Sequence, residues 1–214
     1  MTPKIENRYD RNQRLQNSFS VFVGSLALAL DCDFIATQDG GCFSEIVLRD
    51  GTKLSVGLNG YEGKVEVAVG SKRDSRNQLF TLRDVMNYEE RNGATPITVC
   101  INVAAEGRTF KALAADITRR LLPDARVIWA RICEAVKRSD DYASGCASEA
   151  EKFAELLDCP PHQNDARRAE KNFFPELPGV HCVTVAQGNV DFKFSGSPAT
   201  AAKLLALLKE LSAE

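Results

Sequence analysis

Apolar and polar residues alternate in four short runs early in this chain, at residues 34–37, 43–49, 52–58 and 64–69. Leu54, Val56 and Leu58 form one such row, and Val65, Val67 and Val69 another, each interleaved with polar neighbours. A period of two sends alternate side chains to opposite faces of a sheet, so the runs read as strands. Asp39-Gly40-Gly41, Asp50-Gly51 and Asn59-Gly60 separate them, supplying the positive φ angles that tight hairpins demand. The expectation is an antiparallel β-meander with one face buried.

On either side the period changes. Residues 4–30 carry Leu15, Phe19, Phe22, Val23, Leu26 and Leu30 at steps of three and four, which predicts a helix covering the sheet. The alternation of Phe19, Val21 and Val23 leaves a strand open for its second half. Residues 70–96, rich in charge and amides, read as the least ordered part, an excursion with a short helix around 82–88. Residues 97–103 alternate again, with Ile97, Val99, Ile101 and Val103 on one side. Thr109 then caps a helix carrying Phe110, Leu113, Ile117 and Leu121, and Pro123 either kinks it or starts a successor. At about 100° per residue, Ile128, Ile132 and Val136 continue the same stripe, which favours a kink.

A further helix is expected over 148–157, ending before Pro160-Pro161. Residues 180–186 and 190–194 read as a hairpin around Gln187-Gly188-Asn189. Ser197 and Pro198 then open a last helix that buries Leu204, Leu207, Leu208 and Leu211. Strands and helices segregated in this way predict an α+β fold. Its parts are a helix-covered meander, a long kinked central helix, and a C-terminal hairpin plus helix. Residues 1–106 would hold the first helix and sheet and residues 107–214 the rest, as two parts or one continuous domain.

Composition narrows the function classes. A formal net charge of -2 argues against nucleic-acid binding by the whole surface, though not by a local patch. The longest apolar run, residues 19–30, is broken by Ser20, Gly24 and Ser25 and is too short for a bilayer, so no membrane partner is expected. Its context also lacks a secretory pattern. The 7 cysteines, odd in number and irregular in spacing, read as reduced thiols in a cytoplasmic protein.

Candidate chemistry is sparse. The only histidines are His162 and His181. Cys159-Pro160-Pro161-His162 gives a Cys-x2-His pair, but His181 and Cys182 would point to opposite faces of a strand and could not share one metal. Gly57-x2-Gly60-x2-Gly63 lies between strands and reads as a turn, and neither a phosphate-binding loop nor a Gly-x-Ser-x-Gly elbow occurs. No catalytic residue, metal or cofactor is therefore assigned. An enzyme with a dispersed carboxylate or Cys/His site remains an alternative.

Charge carries the stronger signal. Arg108, Lys111, Arg119, Arg120, Arg126, Arg131, Lys137 and Arg138 are opposed only by Asp116, Asp124 and Glu134. From residue 140 the sign flips, with Asp140, Asp141, Glu149, Glu151, Glu155 and Asp158 against Lys152. If the helix runs through Pro123, Arg108, Arg119, Arg126 and Lys137 fall on one line, and Arg120, Arg131 and Arg138 on a second beside it. Such a ridge suits phosphates or an acidic protein surface, and the acidic block can compete with nucleic acid for a basic groove. The alternative is a solvated face paired with Asp140, Asp141 and Glu149 across antiparallel helices.

The segment from Phe110 through Lys111-Ala112-Leu113-Ala114-Ala115-Asp116-Ile117-Thr118-Arg119-Arg120-Leu121-Leu122 to Pro123 follows a strand and precedes a long polar helix. Together with the meander, it resembles uncharacterised accessory proteins of phages and other mobile elements over about half the chain, without a functional motif. That resemblance implies a non-enzymatic inhibitor of bacterial defence, of the anti-CRISPR kind, which acts on a host nucleoprotein complex such as a CRISPR effector by occluding a surface or disrupting subunit contacts. Arg108, Arg119, Arg120, Arg126, Arg131, Lys137, Arg138, Asp140, Asp141, Glu149, Glu151 and Glu155 are the expected contact residues. Direct nucleic-acid binding through the basic ridge is the second expectation.

Overall fold

The computed structural model describes residues 13–37, 43–58, 64–104, 107–162 and 168–211. Helix α1 (Gln13–Ala29) leads into β1 (Cys32–Thr37), β2 (Phe43–Leu48), β3 (Lys53–Leu58) and β4 (Lys64–Val69). With β7 (Cys100–Ala104) these strands form one antiparallel sheet in the order β1-β2-β3-β4-β7. The expected meander is thus present, joined by the strand predicted near residue 100. Asp50-Gly51 turns β2 into β3, with Gly51 at φ 82°. The turns at Asp39–Gly41 and Asn59-Gly60, Cys42 and the start of the first helix lie outside the described residues.

The two-residue period does what the pattern implied. Ile46, Leu54, Val56, Val65, Val67, Ile101 and Val103 are all buried on one sheet face. Phe19, Phe22, Val23, Leu26 and Ala27 of α1 pack on that face, so the helical reading prevails over the strand. Side chains at steps of three and four bury together only on a helix.

Residues 70–96 are more structured than their composition suggested. They hold a small hairpin of β5 (Lys72–Arg73) and β6 (Leu79–Phe80), then two single-turn helices, α2 (Leu82–Val85) and α3 (Tyr88–Arg91). Each helix starts with a capping box, Thr81 with Asp84 and Asn87 with Glu90. Local side-chain bonds to the orphan N–H groups order a segment that has few apolar residues to bury.

Thr109 caps α4 (Phe110–Arg120) through its hydroxyl, which accepts from the Ala112 N–H at 3.2 Å. The helical pattern is interrupted at Leu121, and α5 (Leu122–Leu157) begins with Pro123 in its first turn. Pro123 therefore starts a successor helix, because it has no N–H to offer the Arg119 carbonyl. Bonds from Leu121 N–H to Ile117 O and from Ala125 N–H to Leu121 O bridge the break and keep the apolar stripe in phase. Leu113, Ile117, Leu121, Ala125, Ile128 and Ile132 all enter the sheet's core.

The helix expected over 148–157 is not separate. It is the last part of α5, which runs unbroken for 36 residues. Beyond it, β8 (Lys171–Phe173) adds an unforeseen third strand to the hairpin of β9 (Val180–Ala186) and β10 (Asn189–Phe194). These strands form their own sheet, β10-β9-β8, and do not extend the first one. Its core is Phe173, Val183 and Val185 with Ala150 of α5. Helix α6 (Pro198–Leu211) is capped by Ser197, whose hydroxyl accepts from the Thr200 N–H at 3.2 Å. The side chains of Leu207, Leu208 and Leu211 lie outside the described residues, and Leu204 is half-buried.

The chain divides into two compact units within α5. Met1–Arg73 and Leu79–Val136 make one, and Asp74–Gln78 with Lys137–Glu214 make the other. Residues 107–136, assigned by sequence to the second part, group with the first sheet, because their apolar stripe is buried against it.

Candidate functional site

Helix α4 and the first half of α5 hold the expected basic residues, and most already have carboxylate partners. Asp116 of α4 is the hub of the first group. It accepts from Arg108 Nη1 at 3.4 Å, Arg119 Nη2 at 3.1 Å and Arg120 Nη1 at 3.3 Å. Arg119 and Arg120 reach it because positions three and four residues apart share a helix face. Arg108 comes from the loop before the cap and also donates Nη2 to the Ala112 carbonyl at 3.2 Å. Burial works against the Asp116 charge, but the three guanidiniums outweigh it and hold the carboxyl below its ordinary range.

On α5 the pairing is one to one. Arg126 Nε donates to Asp50 Oδ2 at 2.6 Å. Arg131 Nη1 lies 2.8 and 2.9 Å from the two oxygens of Glu90, whose side chain is only 6 % exposed. Arg131, followed by the Asn87 N–H, draws the Glu90 carboxyl below its usual range. Arg138 is also engaged. Lys137 is exposed, and no ion pair holds it among the described residues. The continuous ridge predicted from sequence therefore breaks up: Arg126 and Arg131 of α5 each meet one carboxylate, whereas Arg108, Arg119 and Arg120 share the single carboxylate of Asp116.

The acidic residues behave differently. Asp140 accepts the Ser75 N–H at 2.8 Å, and Glu149 pairs with Lys152 at 2.9 Å. Asp141, Glu151 and Glu155 are exposed, with no ion pair among the described residues. At about 100° and 1.5 Å per residue they lie within about 80° of each other along about 21 Å of helix. Since they share α5 with Arg126, Arg131 and Arg138, antiparallel pairing with those three arginines is excluded by connectivity.

Three polar arrangements had no counterpart in the sequence reading. Asp74, fully buried in its side chain, binds the Arg76 and Gln78 N–H groups, the Arg76 guanidinium and the Ser139 hydroxyl at 2.7–3.1 Å. Tyr142 donates to Glu170 at 3.3 Å; its interaction with Cys146, then burial and Glu170, push the phenol up to about 12. Cys100 lies near Glu66 on the neighbouring strand, and burial followed by the Glu66 charge raises its thiol to about 11. The Thr81-x2-Asp84 and Asn87-x2-Glu90 spacings were readable signals, since each marks a capping box.

Among the described residues the histidines and cysteines form no cluster that could hold a metal ion. His162 packs edge-on against Phe174, with ring centres 5.3 Å apart, and His181 hydrogen-bonds the Ser195 hydroxyl. Among the described residues no three of His, Cys, Asp and Glu are placed to hold a metal ion, and no helix is long and apolar enough to cross a membrane. Compared with protein-family models, curated proteins and solved structures, the chain matches none.

Proposed function

We propose that the protein is a non-enzymatic macromolecule-binding protein whose acidic half of α5 docks on a basic surface of its partner. One observation carries this reading. Asp141, Glu151 and Glu155 form an exposed, uncompensated row on a well-formed helix, whereas the arginines of the same helix are mostly paired at home. A rigid row of carboxylates loses little conformational entropy on binding and is complementary to a groove built for phosphates. The partner class that fits is a nucleoprotein complex with such a groove, and the action is occlusion of that groove. With the resemblance to mobile-element accessory proteins, this gives an inhibitor of a host defence complex of the anti-CRISPR type.

The test is capture from a bacterial lysate by the wild-type chain and by a variant with Asp141→Lys, Glu151→Lys and Glu155→Lys. The expected result is a nucleic-acid-binding assembly retained by the wild type and lost by the variant, while both unfold at similar temperatures. Equal retention by both chains removes the acidic row from the account.

A further inference from the structure

The α4 arginine cluster is a separate surface, and its reading does not depend on the one above. Three guanidiniums converge on the single carboxylate of Asp116, which leaves two positive charges without a counter-charge at that point. The next acid along the chain, Asp124, accepts the Thr98 N–H at 2.6 Å. Lys111, exposed on the same helix, adds to the excess.

The donors are accessible. Side-chain exposure is 79 % for Arg119, 47 % for Arg120 and 34 % for Arg108, against 11 % for Asp116. Each guanidinium carries five N–H groups, and Arg119 and Arg120 each spend one on Asp116. The guanidinium ends of these pairs are open to solvent, where ion pairs are weak, so Arg119 and Arg120 can turn spare N–H groups towards another anion. Asp116 meanwhile keeps the three side chains together against their mutual repulsion.

We propose that Arg108, Arg119 and Arg120 form a receptor for the backbone phosphates of a nucleic-acid strand. A phosphodiester offers two acceptor oxygens that match the paired N–H groups of a guanidinium fork. The openness of the cluster favours phosphates carried on a polymer, because a single free phosphate would gain only part of the available contacts. The contacts position the strand and carry no sequence preference.

Fluorescence anisotropy with a labelled duplex of about 20 base pairs tests this, titrated from about 50 to 200 mM salt. The wild type is expected to bind at the low end. Changing Arg119→Gln and Arg120→Gln together should weaken binding by about tenfold or more and lower the salt slope by about 2. Lys193→Gln, an exposed charge in the other compact unit, should leave both quantities unchanged. The proposal fails if the wild type forms no complex, if the double variant binds as before, or if Lys193→Gln weakens binding as much. The acidic-row variant described above should still bind the duplex, so the two readings can fail independently.

Discussion

Replacing Asp74 should test how far a short turn depends on one buried carboxylate. Its Oδ1 accepts the Gln78 N–H at 2.7 Å and the Arg76 N–H at 3.0 Å. Its Oδ2 accepts the Ser139 hydroxyl at 3.0 Å and Arg76 Nη2 at 3.1 Å. Asp74→Ala deletes all four bonds. It also leaves Arg76 without its carboxylate, with Nη2 held by the Ser139 hydroxyl at 2.7 Å and Nε buried without a partner. At about 1 kcal/mol per bond, the expected loss is about 3–4 kcal/mol. Asp74→Asn keeps an oxygen for the two backbone N–H groups but loses the charge-assisted contact, so about 1.5–2 kcal/mol is expected. Urea unfolding followed by far-UV circular dichroism gives the totals, and hydrogen exchange at the Gln78 amide reports the turn itself. A loss below about 0.5 kcal/mol for Asp74→Ala, the range of ordinary surface changes, would refute this reasoning.

Two further outcomes follow from the titrating groups. Asp50, Asp74 and Asp116 have folded pKa values below their ordinary ones: burial opposes the charge in each, but hydrogen bonds and arginines prevail. The unfolded chain therefore binds more protons between the folded and ordinary values. The stability these groups supply is present above about pH 4 and is lost as pH falls through the depressed values. Acid titration by circular dichroism should show stability falling as pH drops below about 4.5, and less steeply in Asp74→Asn; stability independent of pH down to about 2 would contradict this. Cys100, despite its exposure, should alkylate at pH 8 roughly 10- to 100-fold more slowly than a free thiol, since its thiolate is scarce. Peptide mapping after iodoacetamide checks this, and labelling at the free-thiol rate would show that burial and the Glu66 carboxylate do not suppress the thiolate.

Particular elements show what could be read without coordinates. The strand rows Leu54-Val56 and Val65-Val67-Val69 were legible because a pleated strand turns each sequence alternation into a choice of face. The α4 cap was legible because Thr109 acts on a backbone group three residues away. The continuity of α5 was not, since residues 139–147 include Gly145 and short polar side chains. Burial of Val136, Cys146 and Ala150 at helical phase accompanies the unbroken helix there. The turn clamp at Asp74 escaped because Ser139 lies 65 positions further along the chain.

The charge pattern divides in the same way. From the chain alone came the sign of each block and its angular position on a helix, because both depend only on neighbours within a few turns. Which charges stay available was decided by the fold. Arg126 meets Asp50 across 76 positions and Arg131 meets Glu90 across 41, whereas Arg119 and Arg120 share Asp116 within one helical turn. An ion pair has no sequence period, so only folding selects which distant carboxylate reaches which arginine. Among the described residues that selection leaves an acidic row without ion pairs and an arginine cluster with three guanidiniums on one carboxylate.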